Sequence, residues 1–405
     1  MTISKLAREI KQSPTLQLNE AAGKLRDRGE PVIHLGAGEP KSKVPMDAIL
    51  SAAAKLTTAD IRYTNTKGIP SLIKAIIRYT EDYYGKTIGT KNVIVSSGAK
   101  HAIYNIMVTL VDPQDEVIIL APYWVSYPEI VKMCYGVPAI VTPGDGRFVP
   151  KIKEITNVVS SHTKAIIVNS PNNPSGAVYP EELIAELVEF CEKRGIYLIM
   201  DDIYHKLVFD KKSAVSCYKY AKDNSANSKL IVVNGVSKMY AMTGFRIGWT
   251  VANEKIIEAM INVQGQNMTC PSVVLQEAAA GALNGVQSGV ESLRLTLENN
   301  RNVMVNELRA FTGVKITPPD GTFYCLPDFT AYYKDSVALS KFLLEKALVV
   351  AIPGKEFGME GHLRLSYCGT IKEITEGVAR IKWALDPESP NEIYIGDRRY
   401  RRDWK

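Results

Sequence analysis

The amino-acid sequence predicts an α/β protein in which helices cover a mostly parallel β-sheet, with a smaller α+β domain after it. Between about residues 90 and 250, short apolar runs alternate with longer segments of helical period, which is typical of parallel strands joined by helices. After about residue 290 a long polar segment of helical period leads into strand-like pieces and further helical segments. These two sequence patterns predict two domains of different architecture in one chain.

The predicted strands of the sheet are the apolar runs at residues 93–95, 117–120, 165–168, 196–199 and 230–233. The first run gives way to a segment of helical period, so residues 98–100 should stand at the start of a helix. Another helix should begin near residues 179–182, where a proline and two acids form a typical first turn, and it should end by Gly195.

A length of 405 residues allows two or three domains. We predict an arm and part of a small domain at residues 1–45, a large domain at 46–290, a small C-terminal domain at 291–385 and a tail at 386–405. In the small domain, a polar helix over about 290–311 should precede strands at 322–324 and 363–366. The tail is rich in Pro, Tyr and Arg without a clear period. We therefore expect it to be ordered only by packing on a neighbour.

The composition excludes several classes of function. The net charge is +6, but the basic residues are spread along the chain, so we expect an anionic small-molecule site and no nucleic-acid partner. The 6 cysteines lack a Cys-x-x-Cys pair and should be reduced thiols. No stretch reaches the roughly 18 apolar residues of a membrane span. These features predict a cytoplasmic protein with no membrane contact and no metal site.

Ligands of open α/β sheets bind beyond the carboxyl ends of the strands, so the residues that follow each run carry the most information. The first run is followed by residues 98–100, whose backbone N–H groups can hold a phosphate at a helix start. The second run is followed by Trp124, a flat aromatic on which a planar ring can stack. After the third run, Asn173 lies in a turn that can hold its amide towards a site.

The last two runs provide a carboxylate and a lysine. Asp201 follows the fourth run, with Tyr204 one helical turn later. A carboxylate about 4 Å from a protonated ring nitrogen gains roughly 4 kcal/mol at an effective dielectric near 20. Lys238 follows the fifth run, where burial should lower its pKa towards the neutral amine that a Schiff base needs. Arg246, eight residues later, is a cation suited to a phosphate.

Each of these residues also has an ordinary structural interpretation. Trp124 fits a core position, and Asp201 fits a helix cap or the metal-binding acid of a nucleotide hydrolase. The hydrolase pattern fails, because Thr80 stands where a phosphate loop ending at Lys86 needs glycine. A serine acyl-enzyme is not supported either, since the companions of a Ser97-x-x-Lys100 motif are missing. The residues that follow the five apolar runs come one after another at successive strand ends, and this arrangement favours one shared site.

Together these motifs resemble those of the class I, fold type I pyridoxal-phosphate aminotransferases. The similar motifs are Gly-Val-Ser-Lys at 235–238, Thr-Gly-Phe-Arg-Ile-Gly at 243–248, Asn-Ser-Pro-Asn-Asn-Pro-Ser-Gly at 169–176, Met-Asp-Asp-Ile-Tyr at 200–204 and Ala-Pro-Tyr-Trp-Val-Ser-Tyr at 121–127. The resemblance spans about residues 10–385. It implies a seven-stranded sheet in the large domain and ping-pong transfer of an amino group between L-amino acids and 2-oxo acids.

The resemblance also implies a role for each matching residue. Lys238 would form a Schiff base with pyridoxal phosphate and, once released, move the proton between the substrate Cα and the cofactor C4′. Asp201 would pair with the pyridinium nitrogen, so that the ring accepts electrons. Tyr204 and Asn173 would bond the phenolic oxygen, and Trp124 would stack on the ring.

The cofactor phosphate and the second subunit follow from the same resemblance. The residues implied around the phosphate are Gly98, Ala99, Lys100, Ser237 and Arg246. Tyr63 matches the tyrosine that reaches the phosphate of the neighbouring subunit. The resemblance therefore implies a homodimer with shared active sites.

For the substrate, the resemblance implies that Arg364 clamps the α-carboxylate together with the backbone of Gly38, beside Trp124 and Asn173. Lys100, Ser13 and Thr15 resemble the subgroup that serves aspartate and, in some members, prephenate. A distal carboxylate needs a second cation and hydroxyl donors, so we predict an aspartate or prephenate type enzyme with glutamate or 2-oxoglutarate as partner.

Several alternatives stay open at this point. Lys100 also fits a solvent-facing lysine on a first helical turn. An aromatic or alanine-type aminotransferase, or a β-lyase or decarboxylase on the same fold, would use the same cofactor. Lysines at 41 and 43 stand where the family has acidic and aromatic residues, and we expect them to add positive potential near the mouth of the site.

Overall fold

The computed structural model describes residues 3–10, 14–144, 146–221 and 227–404. The helices are α1 (Lys5–Glu9), α2 (Pro14–Asp27), α3 (Met46–Thr57), α4 (Pro70–Tyr84), α5 (Ala99–Leu110), α6 (Ser126–Met133), α7 (Ile152–Thr156), α8 (Glu181–Arg194), α9 (Glu254–Asn267), α10 (Val273–Asn284), α11 (Ser288–Arg309), α12 (Ser336–Ala347) and α13 (Ile371–Leu385). The strands are β1 (Ile33–His34), β2 (Val93–Ser96), β3 (Glu116–Leu120), β4 (Val137–Val141), β5 (Thr163–Asn169), β6 (Tyr197–Asp201), β7 (Leu230–Gly235), β8 (Gly248–Val251), β9 (Tyr324–Cys325), β10 (Val349–Val350), β11 (Ile352–Pro353), β12 (Leu363–Ser366), β13 (Glu392–Ile395) and β14 (Arg398–Arg401).

The central sheet has seven strands in the order β2-β8-β7-β6-β5-β3-β4. Strands β4, β3, β5, β6 and β7 pair in parallel, and β8 runs antiparallel to both β2 and β7. The five predicted runs and the mostly parallel sheet are therefore confirmed. Sequence analysis missed β4 and β8, since β4 is a half-exposed edge strand that contains a proline and β8 is only four residues long.

The predicted helix boundaries agree closely with the structure. Helix α5 begins at Ala99, directly after the phosphate-type loop. Helix α8 follows Pro180 and ends at Gly195, whose φ of 70° is the left-handed conformation that glycine adopts readily. The polar helix predicted at 290–311 is α11, Ser288–Arg309. No helix within the described ranges is long and apolar enough to cross a membrane, and the six cysteines are unpaired.

Two small sheets join the start of the chain to its C-terminal third. Strand β1 pairs in parallel with β10, with Ile33 opposite Val349. Strand β12 lies between β11 and β9 and pairs antiparallel with both. The predicted strand at 363–366 is confirmed, whereas the one predicted at 322–324 lies slightly later, at Tyr324–Cys325. The boundaries between the four predicted segments stay a prediction.

The C-terminal tail does not need a neighbour for its order, so that expectation was wrong. Strands β13 and β14 form a hairpin in which Ile395 pairs with Arg398 around a Gly-Asp loop. Such a two-residue Gly-Asp loop is a hairpin signal that could have been identified from the sequence. Arg398 and Tyr400 both bond the Glu30 carboxylate, which lies just before β1.

Trp404 packs the end of this hairpin against α12 and α13. Its ring centroid lies 5.3 Å from that of Trp383 and 5.5 Å from that of Phe342. Its Nε1–H donates to the carbonyl of Ala384 at 3.1 Å. These contacts hold the tail on α12 and α13.

We expect Trp404→Ala to lower the free energy of unfolding by about 1–2 kcal/mol, because two aromatic contacts and one hydrogen bond are lost. Denaturant unfolding followed by circular dichroism measures the change. Tyr394→Ala is the matched control, since Tyr394 lies on the same hairpin and is 69% exposed. Equal stabilities for the two variants would contradict the anchoring role.

Candidate active site

A cavity of about 670 Å³ opens at the carboxyl edge of the parallel strands. The predicted site residues that line it are Gly38, Ala99, Lys100, Trp124, Asn173, Asp201, Tyr204, Ser237, Lys238, Arg246 and Arg364. They follow β1, β2, β3, β5, β6 and β7 or lie in β12. A second cavity of about 740 Å³ lies beside α8 and contains none of them. The chemistry therefore converges on the smaller cavity.

Lys238 projects from the end of β7 into this cavity. Its Nζ donates a hydrogen bond to the carbonyl oxygen of Gly38 at 2.7 Å. Burial lowers the pKa of Lys238 to about 8, while the nearby Glu39 carboxylate opposes that shift and the positive charges of Arg364 and Arg246 add to it. At physiological pH a larger fraction of Lys238 is therefore in the neutral, nucleophilic form than of an exposed lysine.

Asp201 ends β6 at the floor of the cavity and is only 4% exposed. Tyr127 in α6 donates its hydroxyl hydrogen to Oδ2 of Asp201 at 2.6 Å, and Asn169 donates to the Asp201 carbonyl at 2.8 Å. Burial raises the pKa of Asp201 to about 6, although the Tyr127 hydrogen bond and the charge of Lys238 act in the opposite direction. A buried carboxylate that forms no salt bridge within the described part of the chain suits a cationic ligand atom.

Arg364 in β12 is 4% exposed and lies on the other side of the cavity. Its Nη2 donates to the carbonyl of Gly36 at 2.9 Å, and its Nη1 donates to Oδ1 of Asn173 at 3.2 Å. The buried Nε has no hydrogen-bond partner among the residues that the structure describes. The guanidinium also lies 4.3 Å from the ring centroid of Tyr324. An orphaned buried donor on a fixed cation is ready to receive a carboxylate.

Tyr204 and Asn173 lie between the carboxylate and the arginine. The backbone N–H of Asn173 donates to Oδ1 of Asn169 at 2.8 Å, which fixes the turn that carries its amide. Tyr204 is buried, with its ring centroid 6.2 Å from that of Tyr324. Burial, followed by the effect of Tyr324, raises the pKa of Tyr204 well above its usual value. Its hydroxyl therefore stays a hydrogen-bond donor.

The start of α5 forms a cradle for an anion. Gly98 has a φ of 84°, and a Cβ atom there would lie 2.7 Å from Nη2 of Arg246. A Cβ at Gly248 would lie 2.5 Å from the backbone nitrogen of Ala99. Both glycines thus permit a close approach of the Arg246 guanidinium and the start of α5, where the first N–H groups of the helix and the guanidinium charge favour a phosphate.

Lys100 and Trp124 form the rim of the cavity. The Nζ of Lys100 lies 4.9 Å from the ring centroid of Trp124, and burial together with the charge of Arg246 lowers the pKa of Lys100. The Trp124 ring lies edge-on to Tyr127 at 5.3 Å. Lys100 therefore leans over the rim of the site, although much of its surface is exposed.

Two predicted site residues that the structure describes, Gly98 and Tyr63, are not among the residues that line this cavity. Gly98 packs directly against the Arg246 guanidinium. Tyr63 is 87% exposed. Ser13 lies outside the described residues, and Thr15 belongs to α2 with an undescribed side chain. At the mouth, Lys41 forms an ion pair with Glu373 at 2.8 Å, which offsets its positive charge.

Sequence analysis missed several residues that shape the site. Tyr127 lies one helical turn after Trp124, so helical spacing in α6 was a usable signal. Asn169 is the last residue of β5, where the strand-end rule points directly to it. Tyr324, His34 and Asn19 also line the cavity, and no local pattern marks them.

The comparisons with known proteins define the class. The sequence model for "Aminotransferase class I and II" matches residues 30–381, so this chain belongs to that family. The protein is an aminotransferase with the α/β architecture of that family.

Particular relatives are similar over nearly their whole length. The chain is 37% identical to a protein of Aquifex aeolicus described as a probable aspartate/prephenate aminotransferase, over 93% of this chain and 97% of that one. It is 33% identical to an aspartate aminotransferase of Bacillus subtilis, covering 96% of this chain and 100% of that one. A Thermus thermophilus aspartate aminotransferase structure with maleate is 33% identical and has a TM-score of 0.90, covering 95% and 100% of the two chains.

We expect the buried charge of Asp201 to cost the cofactor-free protein stability at alkaline pH. The folded-state pKa of about 6 lies above the usual 3.8, so the stability that protonated Asp201 contributes is present below pH 3.8 and lost as the pH rises through 6. The advantage of Asp201→Asn in unfolding free energy should therefore grow by about 2 kcal/mol between pH 4 and pH 8. Exposed Asp82→Asn is the control, and a pH-independent difference for Asp201→Asn would rule the effect out.

Proposed function

We propose that this aminotransferase uses pyridoxal phosphate and moves the amino group of aspartate to a 2-oxo acid such as 2-oxoglutarate. The observation that carries the proposal is the convergence, in one cavity, of a lysine of lowered pKa, a buried carboxylate and a buried arginine with a free donor. These groups match the three demands of the chemistry: a covalent anchor, an electron-withdrawing ring and a bound substrate carboxylate.

The residues fit the cofactor at each of its polar ends. Asp201 offers a buried anion for a protonated ring nitrogen, and Tyr204 and Asn173 offer donors for the phenolic oxygen. The anion cradle formed by residues 98–100 and Arg246 fits a phosphate, with Ser237 beside it. Trp124 offers a flat face for the ring.

Pyridoxal phosphate, when bound, supplies an aldehyde that condenses with amines and a ring that withdraws electrons from the substrate Cα. Lys238 supplies the amine for attachment. When the substrate takes its place, the Lys238 Nζ can remove a proton from the substrate Cα, because at a pKa of about 8 roughly a tenth of it is neutral at pH 7. Asp201 keeps the opposite end of the site negative and thereby favours a protonated ring nitrogen.

Arg364 orients the substrate for this proton transfer. Its Gly36 and Asn173 contacts hold the guanidinium in place, so the remaining N–H groups can bind an α-carboxylate in a bidentate arrangement. The backbone at Gly38 lies beside it, within hydrogen-bond reach of Lys238. A substrate held between Arg364 and Lys238 presents its Cα to the amine.

The surface around Tyr63 supports a homodimer with shared active sites. Apolar side chains repeat along one face of α3 and are exposed: Met46 at 64%, Ile49 at 45%, Leu50 at 59% and Leu56 at 57%. A continuous apolar stripe of this kind needs a partner to cover it. A second copy of the chain would cover the stripe and receive Tyr63 at its phosphate cradle.

Lys100 supports a dicarboxylic substrate. It provides a second cation at the rim, apart from Arg364, so a substrate with two carboxylates can bind at both ends. The aspartate and aspartate/prephenate names of the relatives agree with this assignment. Alanine and phenylalanine lack the distal carboxylate and would leave Lys100 without an acceptor.

The first test is an absorbance spectrum of the purified protein between about 300 and 450 nm. We expect a yellow band that shifts to shorter wavelength with L-aspartate and returns with 2-oxoglutarate. Lys238→Ala should lose the covalent band while the fold, checked by circular dichroism, is retained. A wild-type protein that takes up no pyridoxal phosphate would overturn the proposal.

For the substrate, we expect Lys100→Ala to lower kcat/KM for aspartate by about tenfold to a hundredfold, because one charged hydrogen bond is lost. The value for alanine should change by less than about threefold. Steady-state rates with aspartate, alanine and phenylalanine measure the effect. Lys193→Ala is the control, since Lys193 is exposed at the far end of α8. An unchanged ratio of aspartate to alanine would reject aspartate specificity through Lys100.

A further inference from the structure

His34 connects the N-terminal helix α2 to the wall of the active site through two hydrogen bonds. The backbone N–H of Gly36 donates to His34 Nδ1 at 3.2 Å. Because Nδ1 is an acceptor, the ring hydrogen must be on Nε2 in the neutral imidazole. Nε2 lies 2.6 Å from Oδ1 of Asn19 in α2 and is therefore the donor to that oxygen.

The same connection continues to the substrate arginine. The carbonyl of Gly36 accepts a hydrogen bond from Arg364 Nη2 at 2.9 Å. Gly36 packs closely against its neighbours, because a Cβ atom there would lie 2.7 Å from Cδ1 of Ile352 and 3.3 Å from Cε1 of His34. A chain of hydrogen bonds thus runs from Asn19 through His34 and Gly36 to Arg364.

The surroundings of His34 keep this arrangement intact at neutral pH. Burial lowers the pKa of His34 to about 4, and the positive charges of Arg26, Arg364 and Lys41 act in the same direction. The hydrogen bond with its own backbone segment opposes them only in part. The imidazole is therefore neutral, with one donor and one acceptor in use.

We propose that His34 is a positioning residue that fixes Asn19 and Arg364 relative to each other and thereby sets the affinity of the site for a dicarboxylate. Asn19, His34 and Arg364 all line the cavity. Since Oδ1 of Asn19 is occupied by His34, the atoms that Asn19 has left for a ligand are its two amide N–H donors, which suit a carboxylate. The inference rests on the proposed aminotransferase function and extends it to substrate binding.

Two substitutions separate the two bonds of His34. In His34→Asn, the amide oxygen can replace Nδ1 as acceptor from Gly36, but nothing reaches Asn19. In His34→Gln, the longer side chain can place an N–H near the Nε2 position, but the acceptor for Gly36 is lost. We expect each variant to weaken binding of succinate, a non-reacting dicarboxylate, about threefold to tenfold. The kcat for aspartate should change by less than about twofold, because His34 does not touch the reacting atoms.

A mutant cycle tests whether His34 acts through Asn19. Asn19→Ala alone should weaken succinate binding about as much as His34→Asn, and the double variant should be no weaker than either single one. Asn19 is exposed on α2, so Asn19→Ala keeps the test available if His34→Asn does not fold. Spectral titration of the cofactor-loaded protein measures the Kd, and His162→Asn, at an exposed position before β5, is the control.

Unchanged succinate affinity in both His34 variants would overturn the proposal, as would additive effects in the cycle. A drop in kcat with unchanged affinity would also contradict a positioning role. If the wild-type protein neither takes up pyridoxal phosphate nor reacts with aspartate, the proposed function fails first. If the wild type reacts with aspartate but the His34 variants bind succinate as tightly as the His162→Asn control does, this inference alone fails.

Discussion

Parallel pairing of the central strands is the constraint on which the site depends. Strands β5, β6 and β7 pair in register, so that Asn169 lies beside Asp201 and Asp201 beside Val233. Parallel strands end at the same edge of a sheet, and each strand here places its polar residue at that edge or a few positions beyond it. The Asn169 amide donates a hydrogen bond to the Asp201 carbonyl. Because strand pairing sets the relative position of these two residues, the bond helps to hold the Asp201 backbone, and with it the carboxylate, in place.

Burial has opposite effects on the two central ionisable groups. It lowers the pKa of Lys238 to about 8 and raises that of Asp201 to about 6. Both shifts come from the loss of hydration of the charged form; the charge of Lys238 opposes only part of the Asp201 shift, and the Glu39 carboxylate opposes only part of the Lys238 shift. A ligand with a cationic ring atom and an anionic phosphate would compensate both Asp201 and Arg246. The cofactor-free site is thus costly in free energy, and ligand binding can recover that cost.

The arginine side of the site is assembled by the two ends of the chain. Arg364 in β12 bonds Gly36, which follows β1, across a separation of 328 residues. The pairing of β1 with β10 holds this N-terminal segment, and the Glu30 carboxylate before it is bonded by the C-terminal hairpin. The position of Arg364 therefore depends on packing between segments that are remote in sequence. His34 adds a link from the same segment to α2.

The sequence by itself determined the α/β class, five of the seven central strands and the residues at their carboxyl ends, because apolar period and strand-end position are local signals. The family motifs in 169–176, 200–204 and 235–248 also lie in short stretches that can be identified without coordinates. Only the tertiary structure decided the Tyr127–Asp201 bond, the partners of Arg364 and the Asn19–His34 link, since these contacts join residues on different elements. It also showed that the tail folds on its own chain. Contacts of this kind arise from packing in three dimensions and leave no period or motif in the chain.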